Sequence, residues 1–336
     1  MHQCGIKTPF VTAYFGKLTL YTRYTMLQVL AIVGLCLGQI QTPSPTPGHP
    51  VLLPSEFWEN RFVVTPVTTS GRKLRLFTDS AGSLILVTEV AHEINLPVSN
   101  GNLATTPWPT FSAKAFIPPA AHMFRVWSRK ETDEEFAPEK VDGMLGQQWF
   151  ASRTWTFDYP RKRLYWRAPG DLPKHAPEHE VKLGFSKNAA GMRQSNFATI
   201  QIQVDGENIL FTLDTGATDI LGPEALKQVH DRRPAARATS FLGRSVFDRW
   251  HSKHPDWRVV TVRTATGQTM IEVPKVTIGG FEVGPVWFSV QSDKAFHEYM
   301  AQWTDHPTEG SIGGSAFKYF RMTVDWPNAV AVFERP

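Results

Sequence analysis

Apolar and polar residues alternate along two similar stretches of the chain, which is the pattern of half-buried β-strands. The first stretch, RFVVTPVTTSGRKLRLFTDSAG, begins at Arg61, and the second, NFATIQIQVDGENILFTLDTGA, begins at Asn196. A glycine interrupts the alternation in each stretch and predicts a turn between two strands. A short helix-like segment follows, beginning near Thr88 in the first case and near Pro223 in the second. The pattern therefore predicts two β-hairpins, each followed by a short helix.

The two stretches align without a gap at a constant offset of 135 residues. The matching pairs are Phe62 with Phe197, Gly71 with Gly206, Asp79 with Asp214, Ile85 with Ile220, Leu86 with Leu221 and Glu89 with Glu224. Two later segments, beginning at Asp142 and Glu309, match at an offset of 167 and pair Gly146 with Gly313. The second half thus has 32 additional residues (167 − 135), which we expect around residues 241–258. Such an internal repeat predicts an all-β protein built from two homologous lobes.

The composition divides the chain into five parts. We expect a signal peptide or leader at 1–38, a Pro-rich linker at 39–57, an N-terminal lobe at 58–170, an inter-lobe linker at 171–180 and a C-terminal lobe at 181–336. The two lobes together contain nearly all of the presumed mature chain, and each is large enough to bury a core of its own.

The leader contains a mostly apolar run from Met26 to Gly38. This run is shorter than the ~20 residues that a helix needs to cross a bilayer, and a polar, Pro-rich stretch follows it, as is typical of a cleaved secretory signal. We therefore expect export to the periplasm or the medium, with a retained N-terminal anchor as the alternative. Both cysteines, Cys4 and Cys36, lie in the leader, so a mature exported chain would contain no disulfide.

The charge of the chain argues against nucleic-acid binding. The 35 Lys and Arg residues exceed the 31 Asp and Glu residues only slightly, and they are scattered rather than gathered into one basic block. No phosphate-binding loop or dinucleotide-binding motif occurs in a fitting context.

Asp79 and Asp214 occupy the same place in the two repeats, directly after an apolar strand. A carboxylate there loses hydration and needs compensating hydrogen bonds, so a chemical role is a natural explanation. If the two lobes pack about a pseudo-twofold axis, the two carboxyl groups come together and share one proton. One member of such a pair can act as a base while the other acts as an acid.

At these residues the sequence resembles the aspartic peptidases of the pepsin and retropepsin type. The resemblance rests on Asp214-Thr215-Gly216-Ala217, on the duplication, and on an apolar-apolar-Gly element that reads Met144-Leu145-Gly146 in the first half and Ser311-Ile312-Gly313 in the second. It covers about residues 58 to 336, nearly all of the presumed mature chain.

The resemblance implies two β-rich lobes with a substrate cleft between them. It implies hydrolysis of a polypeptide by water that Asp79 and Asp214 activate, without a metal or another cofactor. Ser80 and Thr215 would lock the two loops together, and the backbone N–H groups of Ala81 and Gly216 would hold the carboxylates. Trp108 and Phe111 lie where lobe one should have a β-hairpin flap, although an ordinary loop with packed aromatic residues explains them as well.

Lobe one departs from the pattern of the family. It has Ala81 where the family has glycine, and Gly82 lacks a hydroxyl that pepsin-like loops often have at that position. Two alternatives to catalysis therefore stay open. The protein could be an inactive peptide-binding or assembly module of the same fold, or each aspartate could merely cap the helix that follows it.

Overall fold

A computed structural model describes residues 44–136, 140–260 and 269–336, without the side chains of residues 134–136. The predicted leader at 1–38 and the beginning of the predicted linker lie outside these residues. Within the described residues, no helix is long and apolar enough to cross a membrane.

The first half of the chain consists of short strands with a few helical segments. Its strands are β1 (Val51–Leu52), β2 (Ser55–Trp58), β3 (Arg61–Val64), β4 (Leu76–Thr78), β5 (Ile85–Val87), β6 (Thr105–Thr106), β7 (Phe124–Trp127), β8 (Gly143–Leu145), β9 (Thr154–Asp158) and β10 (Arg163–Arg167). Its helices are α1 (Thr88–Glu93), α2 (Arg129–Phe136) and α3 (Gln147–Phe150), with a 3₁₀ turn at Ala113–Ala115.

The second half has the same character but is longer. Its strands are β11 (Glu180–Gly184), β12 (Thr199–Val204), β13 (Glu207–Leu213), β14 (Thr218–Ile220), β15 (Ala236–Ala238), β16 (Ser240–Gly243), β17 (Val259–Val260), β18 (Met270–Val273), β19 (Val276–Ile278), β20 (Phe281–Val283), β21 (Val286–Gln291), β22 (Gly310–Ile312), β23 (Arg321–Asp325) and β24 (Val330–Glu334). Its helices are α4 (Pro223–Val229), α5 (Arg244–Lys253) and α6 (Gly314–Phe317), with shorter helical turns at Pro177–His179, Ala295–Tyr299 and Met300–Gln302.

The sheets of the two halves have the same strand order over the seven strands of lobe one, and lobe two has β17 in addition at its edge. Lobe one is ordered β2-β3-β4-β8-β5-β7-β6, and lobe two is ordered β11-β12-β13-β22-β16-β21-β18-β17. The parallel pairs also correspond, because β4–β8 and β5–β7 in lobe one match β13–β22 and β16–β21 in lobe two. The prediction of an all-β protein with two related lobes is therefore confirmed.

A sheet shared by both lobes joins them, in the order β1-β10-β9-β23-β24-β11. At its centre β9 pairs antiparallel with β23, and Thr156 lies opposite Thr323. The hydroxyl groups of these two buried threonines are 2.7 Å apart. The two residues are also 167 positions apart, the offset of the later repeat, so they mark the pseudo-twofold axis between the lobes.

The predicted linkers contain part of the fold. Strands β1 and β2 lie largely within the predicted linker at 39–57, where β1 forms the edge of the shared sheet and β2 begins lobe one. Strand β11 begins at Glu180, the last residue of the predicted inter-lobe linker. Strands β2 and β11 thus begin before residues 58 and 181, because proline-rich composition does not prevent a short edge strand.

The strand registers change the alignment of the two lobes beyond the Asp loops. Ile85 of β5 lies opposite Met144, whereas Phe241 of β16 lies opposite Ser311. Since Met144 and Ser311 are equivalent at the offset of 167, the structural counterpart of Ile85 is Phe241 and not Ile220.

Most of the additional residues of lobe two therefore lie directly after its Asp loop. Phe241 follows Ile85 by 156 positions, which is 21 more than the offset of 135 (156 − 135). This lobe-two insertion, residues 218–238, forms β14, α4 and β15. Helix α5 begins 156 positions after α1, so α5 is the counterpart of α1. The expectations that the additional residues lie around 241–258 and that α1 matches α4 are both wrong.

Large aromatic side chains fill the space between the shared sheet and the lobes. Phe150 stacks on Trp326 with ring centroids 5.0 Å apart, and Trp149 packs on Trp155 at 4.1 Å. All four of these side chains are fully buried in a core that extends through both lobes. Each such side chain contributes a large apolar area, so the core holds the two lobes in a fixed relation.

Candidate active site

Asp79 and Asp214 lie at equivalent places, each directly after a strand that ends beside the glycine element of its own lobe. The backbone N–H of Asp79 donates to the carbonyl oxygen of Leu145 at 3.1 Å, and that of Asp214 donates to Ile312 at 3.0 Å. Leu145 and Ile312 are equivalent at the offset of 167. Each aspartate is thus held at the end of a parallel strand pair.

The glycines of the two elements are required by close packing. A Cβ at Gly146 would collide with the carbonyl oxygen of Gly82, and a Cβ at Gly313 would collide with that of Thr239. Both obstacles are backbone atoms, so a larger residue could enter either position only if the neighbouring backbone moved.

Ser80 and Thr215 lock the two loops to each other. The N–H of Ser80 donates to Thr215 Oγ1 at 3.1 Å, and the N–H of Thr215 donates to Ser80 Oγ at 2.9 Å. The Ser80 hydroxyl donates in turn to the carbonyl oxygen of Leu213 at 2.8 Å. Both side chains are almost completely buried, where hydrogen bonds of this kind fix one geometry. These are the two residues that the resemblance to aspartic peptidases assigned to this role.

The N–H groups after each aspartate hold its carboxyl group. Ala81 donates to Asp79 Oδ1 at 2.8 Å, and Gly216 donates to Asp214 Oδ1 at 3.1 Å. Ala81 has a negative φ, so the alanine makes the bond without backbone strain. The departure of lobe one from the family pattern therefore leaves this hydrogen bond in place.

The two carboxyl groups meet between the lobes. The side chains of Asp79 and Asp214 are in hydrogen-bond contact, and both stay partly exposed. Burial raises the pKa of Asp214 above its usual range, while hydrogen bonds from Ser311, Gly216, Asp79 and Ala217 partly oppose the shift. A raised pKa in a carboxyl pair means that one proton stays on the pair above the pH at which isolated carboxyl groups lose theirs.

The structure excludes helix capping as the role of either aspartate. Helix α1 begins after Val87 and α4 begins after Gly222, and neither helix has a side-chain cap. Asp79 and Asp214 lie eight positions before these cap residues.

Ser311 contacts the Asp214 carboxyl group, a role that the sequence analysis did not assign to it. Its hydroxyl donates to Asp214 Oδ2 at 3.0 Å. The equivalent residue in lobe one is Met144, so the two carboxyl groups have different surroundings. Neither Asp loop has a hydroxyl three positions after its aspartate, where Gly82 and Ala217 stand, and Ser311 supplies one from the glycine element instead. A polar residue in an apolar-apolar-Gly element is the signal that could have identified it.

Arg61, the first residue of β3 in lobe one, supports the site from the other lobe. Arg61, almost fully buried, donates to Thr218 Oγ1 at 2.8 Å, and Thr218 donates to the carbonyl oxygen of Gly216 at 2.7 Å. The Arg61 guanidinium also lies 4.2 Å from the ring centroid of Trp58. A cation from lobe one therefore braces the Asp214 loop, which no local pattern in the sequence indicated.

Trp108 and Phe111 pack into lobe one. Phe111 is 8% exposed and forms a β-bridge with Thr68, while Trp108 packs on Phe124 at 4.4 Å and donates to the carbonyl oxygen of His122. These contacts favour the packed loop over the flap for both residues. The tight hairpin of this region is at 99–105, before the loop that carries them.

No group of three metal-binding side chains occurs in the described part of the chain. No protein-family model and no curated protein sequence matches the chain.

Solved structures with a similar backbone include an aspartic proteinase from Irpex lacteus, with 10% sequence identity, a TM-score of 0.46, and coverage of 85% of this chain and 97% of that chain. They also include conglutin gamma, a basic 7S globulin from lupine seeds, with 10% identity, a TM-score of 0.44, and coverage of 85% and 94%. Likeness at this level says nothing about activity, so the function is argued from the geometry of the site.

Proposed function

We propose that the protein is an aspartic endopeptidase that hydrolyses polypeptides with water activated by Asp79 and Asp214. The observation that carries this proposal is the partly exposed, hydrogen-bonded carboxyl pair at equivalent positions of two locked loops. Placing two carboxyl groups together at a site where burial desolvates Asp214 is costly, which a purely structural role would not explain.

The chemistry follows from one proton shared by two carboxyl groups. The ionised carboxylate takes a proton from water as its oxygen attacks the peptide carbonyl carbon, and the protonated carboxyl gives its proton to the carbonyl oxygen. The carboxyl that took the proton from water then gives it to the amide nitrogen, a hydroxyl of the tetrahedral intermediate returns a proton to the other carboxylate, and the C–N bond breaks, which releases a carboxylic acid and an amine. The pair thus returns to its starting protonation state.

The substitutions Asp79→Asn and Asp214→Asn test the proposal. We expect each to lower turnover of an unfolded polypeptide by at least about 100-fold, because a single carboxyl cannot serve as base and acid at once. Binding of a pepstatin-like inhibitor should be largely retained. Asp248→Asn is the control, since this side chain is 63% exposed on helix α5.

The asparagine variants should keep the fold. In Asp214→Asn the amide oxygen can still accept the N–H of Gly216, and the amide nitrogen can donate to Ser311, whose hydroxyl can turn to accept. A variant with unchanged inhibitor binding but no turnover therefore reports on chemistry.

The alternative is an inactive module of the same fold that binds or assembles with peptides. It is motivated by Ala81 in the first loop. It predicts that Asp214→Asn changes no assayable property, and that result would favour it over the peptidase.

We also propose that the protein acts after export. The support is the short apolar run at 26–38, which lies outside the described residues, with the Pro-rich stretch after it. N-terminal sequencing of protein from the extracytoplasmic fraction tests this proposal, and an intact N-terminus on cytosolic protein would contradict it.

A further inference from the structure

A chain of hydrogen bonds runs from lobe one to the Asp214 carboxyl group through Thr218. Arg61 donates to Thr218 Oγ1 at 2.8 Å, and Thr218 donates to the carbonyl oxygen of Gly216 at 2.7 Å. This carbonyl and the N–H of Ala217 belong to one peptide group, and the N–H donates to the Asp214 carboxyl group. The chain of hydrogen bonds thus ends on one of the two carboxyl groups of the candidate active site.

The guanidinium group of Arg61 fixes the direction of the Thr218 hydroxyl. A guanidinium has only donors, so Thr218 Oγ1 accepts from Arg61 and its single proton is left for the carbonyl oxygen of Gly216. A hydroxyl that accepts from a cation is a stronger donor, because successive hydrogen bonds polarise one another. The same polarisation passes through the peptide group and makes the N–H of Ala217 a stronger donor to Asp214.

We propose that Thr218 is a positioning residue of the peptidase, an inference that rests on the proposed function. Its hydroxyl, oriented by Arg61, polarises the peptide group that follows Gly216 and stabilises the Asp214 carboxylate. The hydroxyl also holds Gly216, which packs so closely on Asp79 that a Cβ would lie 2.4 Å from Asp79 Cγ. Thr218 therefore acts on the charge of one carboxyl group and on the position of both.

The two halves of the active site differ in this contact. Thr218 is the first residue of the lobe-two insertion, so lobe one has no residue equivalent to it. Asn196, which carries no charge, aligns with Arg61. Thr218 therefore distinguishes Asp214 from the carboxyl group of lobe one.

Other ionisable groups also lie around the Asp214 loop. Asp79 is in hydrogen-bond contact with Asp214, and the buried carboxyl group of Asp219 accepts a hydrogen bond from Ser289 at 2.6 Å. Burial and the charge of Asp214 raise the pKa of Tyr159, so this phenol stays protonated from acidic to neutral pH. A change of titration in that range therefore belongs to a carboxyl group.

Carbon-13 NMR of the side-chain carboxyl groups of the full chain tests the proposal without a measurement of activity. The Asp214 signal is identified by its absence from Asp214→Asn. In Thr218→Val we expect the ionisation of Asp214 to move to higher pH by about 0.5 pH unit, because the Gly216 carbonyl loses its donor. Thr218→Ser keeps the hydroxyl and should titrate as the wild type does. The same Asp214 titration in Thr218→Val and Thr218→Ser would overturn the proposal.

Arg61→Met tests the residue that orients Thr218. It should move the Asp214 ionisation to higher pH as Thr218→Val does. Arg167→Met is the matched control, because Arg167 is a buried arginine of the shared sheet that pairs with Asp171 at 2.9 Å. This control should lower the free energy of unfolding and leave the Asp214 titration unchanged. Equal movements of the titration in the two arginine variants would show that lost stability is the cause, and would overturn the role of Arg61.

The pH profile of kcat/KM separates this inference from the proposed function. In Thr218→Val the acidic limb should move to higher pH together with the NMR titration, and in Thr218→Ser it should stay in place. An active wild type whose acidic limb is the same in both variants would refute the positioning role of Thr218. An inactive wild type with a moved titration in Thr218→Val would refute the peptidase and leave the effect of Thr218 on Asp214 standing.

Discussion

Residues 81 and 216 are equivalent in the two Asp loops, yet the space around them differs. A Cβ at Gly216 would collide with the Cβ and Cγ atoms of Asp79, whereas Ala81 has a Cβ and is partly exposed. The glycine of lobe two is therefore required by the opposite carboxyl group, while the alanine of lobe one is tolerated. The pair is pseudo-symmetric in its hydrogen bonds but not in its packing.

Gly216→Ala and Ala81→Gly are a matched pair of substitutions that test this asymmetry. Gly216→Ala should displace the Asp79 carboxyl and lower the free energy of unfolding by about 1–3 kcal/mol, with loss of turnover. Ala81→Gly should cost at most about 1 kcal/mol and leave turnover unchanged or higher. Denaturant unfolding and kcat/KM of both variants check the prediction, and similar effects at the two positions would contradict it.

Ser311→Ala tests the hydroxyl that contacts Asp214. The hydroxyl stabilises the ionised carboxylate, so its loss should raise the pKa of Asp214 further and move the acidic limb of the activity profile to higher pH. The readout is the pH profile of kcat/KM, with Ser311→Thr expected to restore the wild-type profile. A uniform loss of activity at all pH values would indicate a purely structural role.

For individual residues, the sequence predicted which positions of the two Asp loops are equivalent. Asp79, Asp214, Ser80, Thr215, Ala81 and Gly216 lie where the aligned motifs put them. Ser311 and Arg61 were not predicted, because their roles depend on contacts between segments far apart in the chain. For Phe111 the sequence left both a flap and a packed loop open, because sequence position does not reveal its bridge to Thr68.

Among the secondary-structure elements, strands β9 and β23 connect the two lobes by pairing at the pseudo-twofold axis. Thr156 and Thr323 face each other in the interior, and each hydroxyl depends on the other for its hydrogen bond. The bond therefore reports on the contact between the lobes.

Thr156→Val and Thr323→Val, singly and together, measure this contact. Each single variant should lose about 1–3 kcal/mol of unfolding free energy because it leaves one buried hydroxyl without its partner. The double variant should lose less than the sum, because it removes both hydroxyls. Additive losses in urea unfolding would show that the two threonines do not act as a pair.

The elements also show why the alignment failed after the Asp loops. Ile220 and Leu221 resemble Ile85 and Leu86 in sequence, but they belong to the lobe-two insertion. An apolar pair followed by a short helix is compatible with a strand of the main sheet and also with an inserted hairpin. Only the register of β16 with β22 shows that β16, and not β14, is the counterpart of β5. The total of 32 additional residues was correct because the glycine elements still align.

For the whole molecule, the raised pKa of Asp214 predicts how stability changes with pH. A carboxyl whose pKa is higher in the folded state binds its proton more tightly there, so its contribution to stability is fully present below the unfolded pKa and is lost as pH rises through the folded pKa. Asp214→Asn removes this titration. The unfolding free energy of the wild type relative to Asp214→Asn should therefore fall as pH rises from about 4. A difference that stays constant with pH would contradict the raised pKa.

Cleavage of an unfolded polypeptide by the full chain, followed from acidic to neutral pH, tests the central claim most directly. We predict a bell-shaped profile of kcat/KM, because the pair is active only while it holds one proton, and turnover at least about 100-fold lower at every pH in Asp79→Asn and Asp214→Asn. If neither the wild type nor Ala81→Gly cleaves the polypeptide at any pH in this range, the claim that these two aspartates form a catalytic pair is wrong.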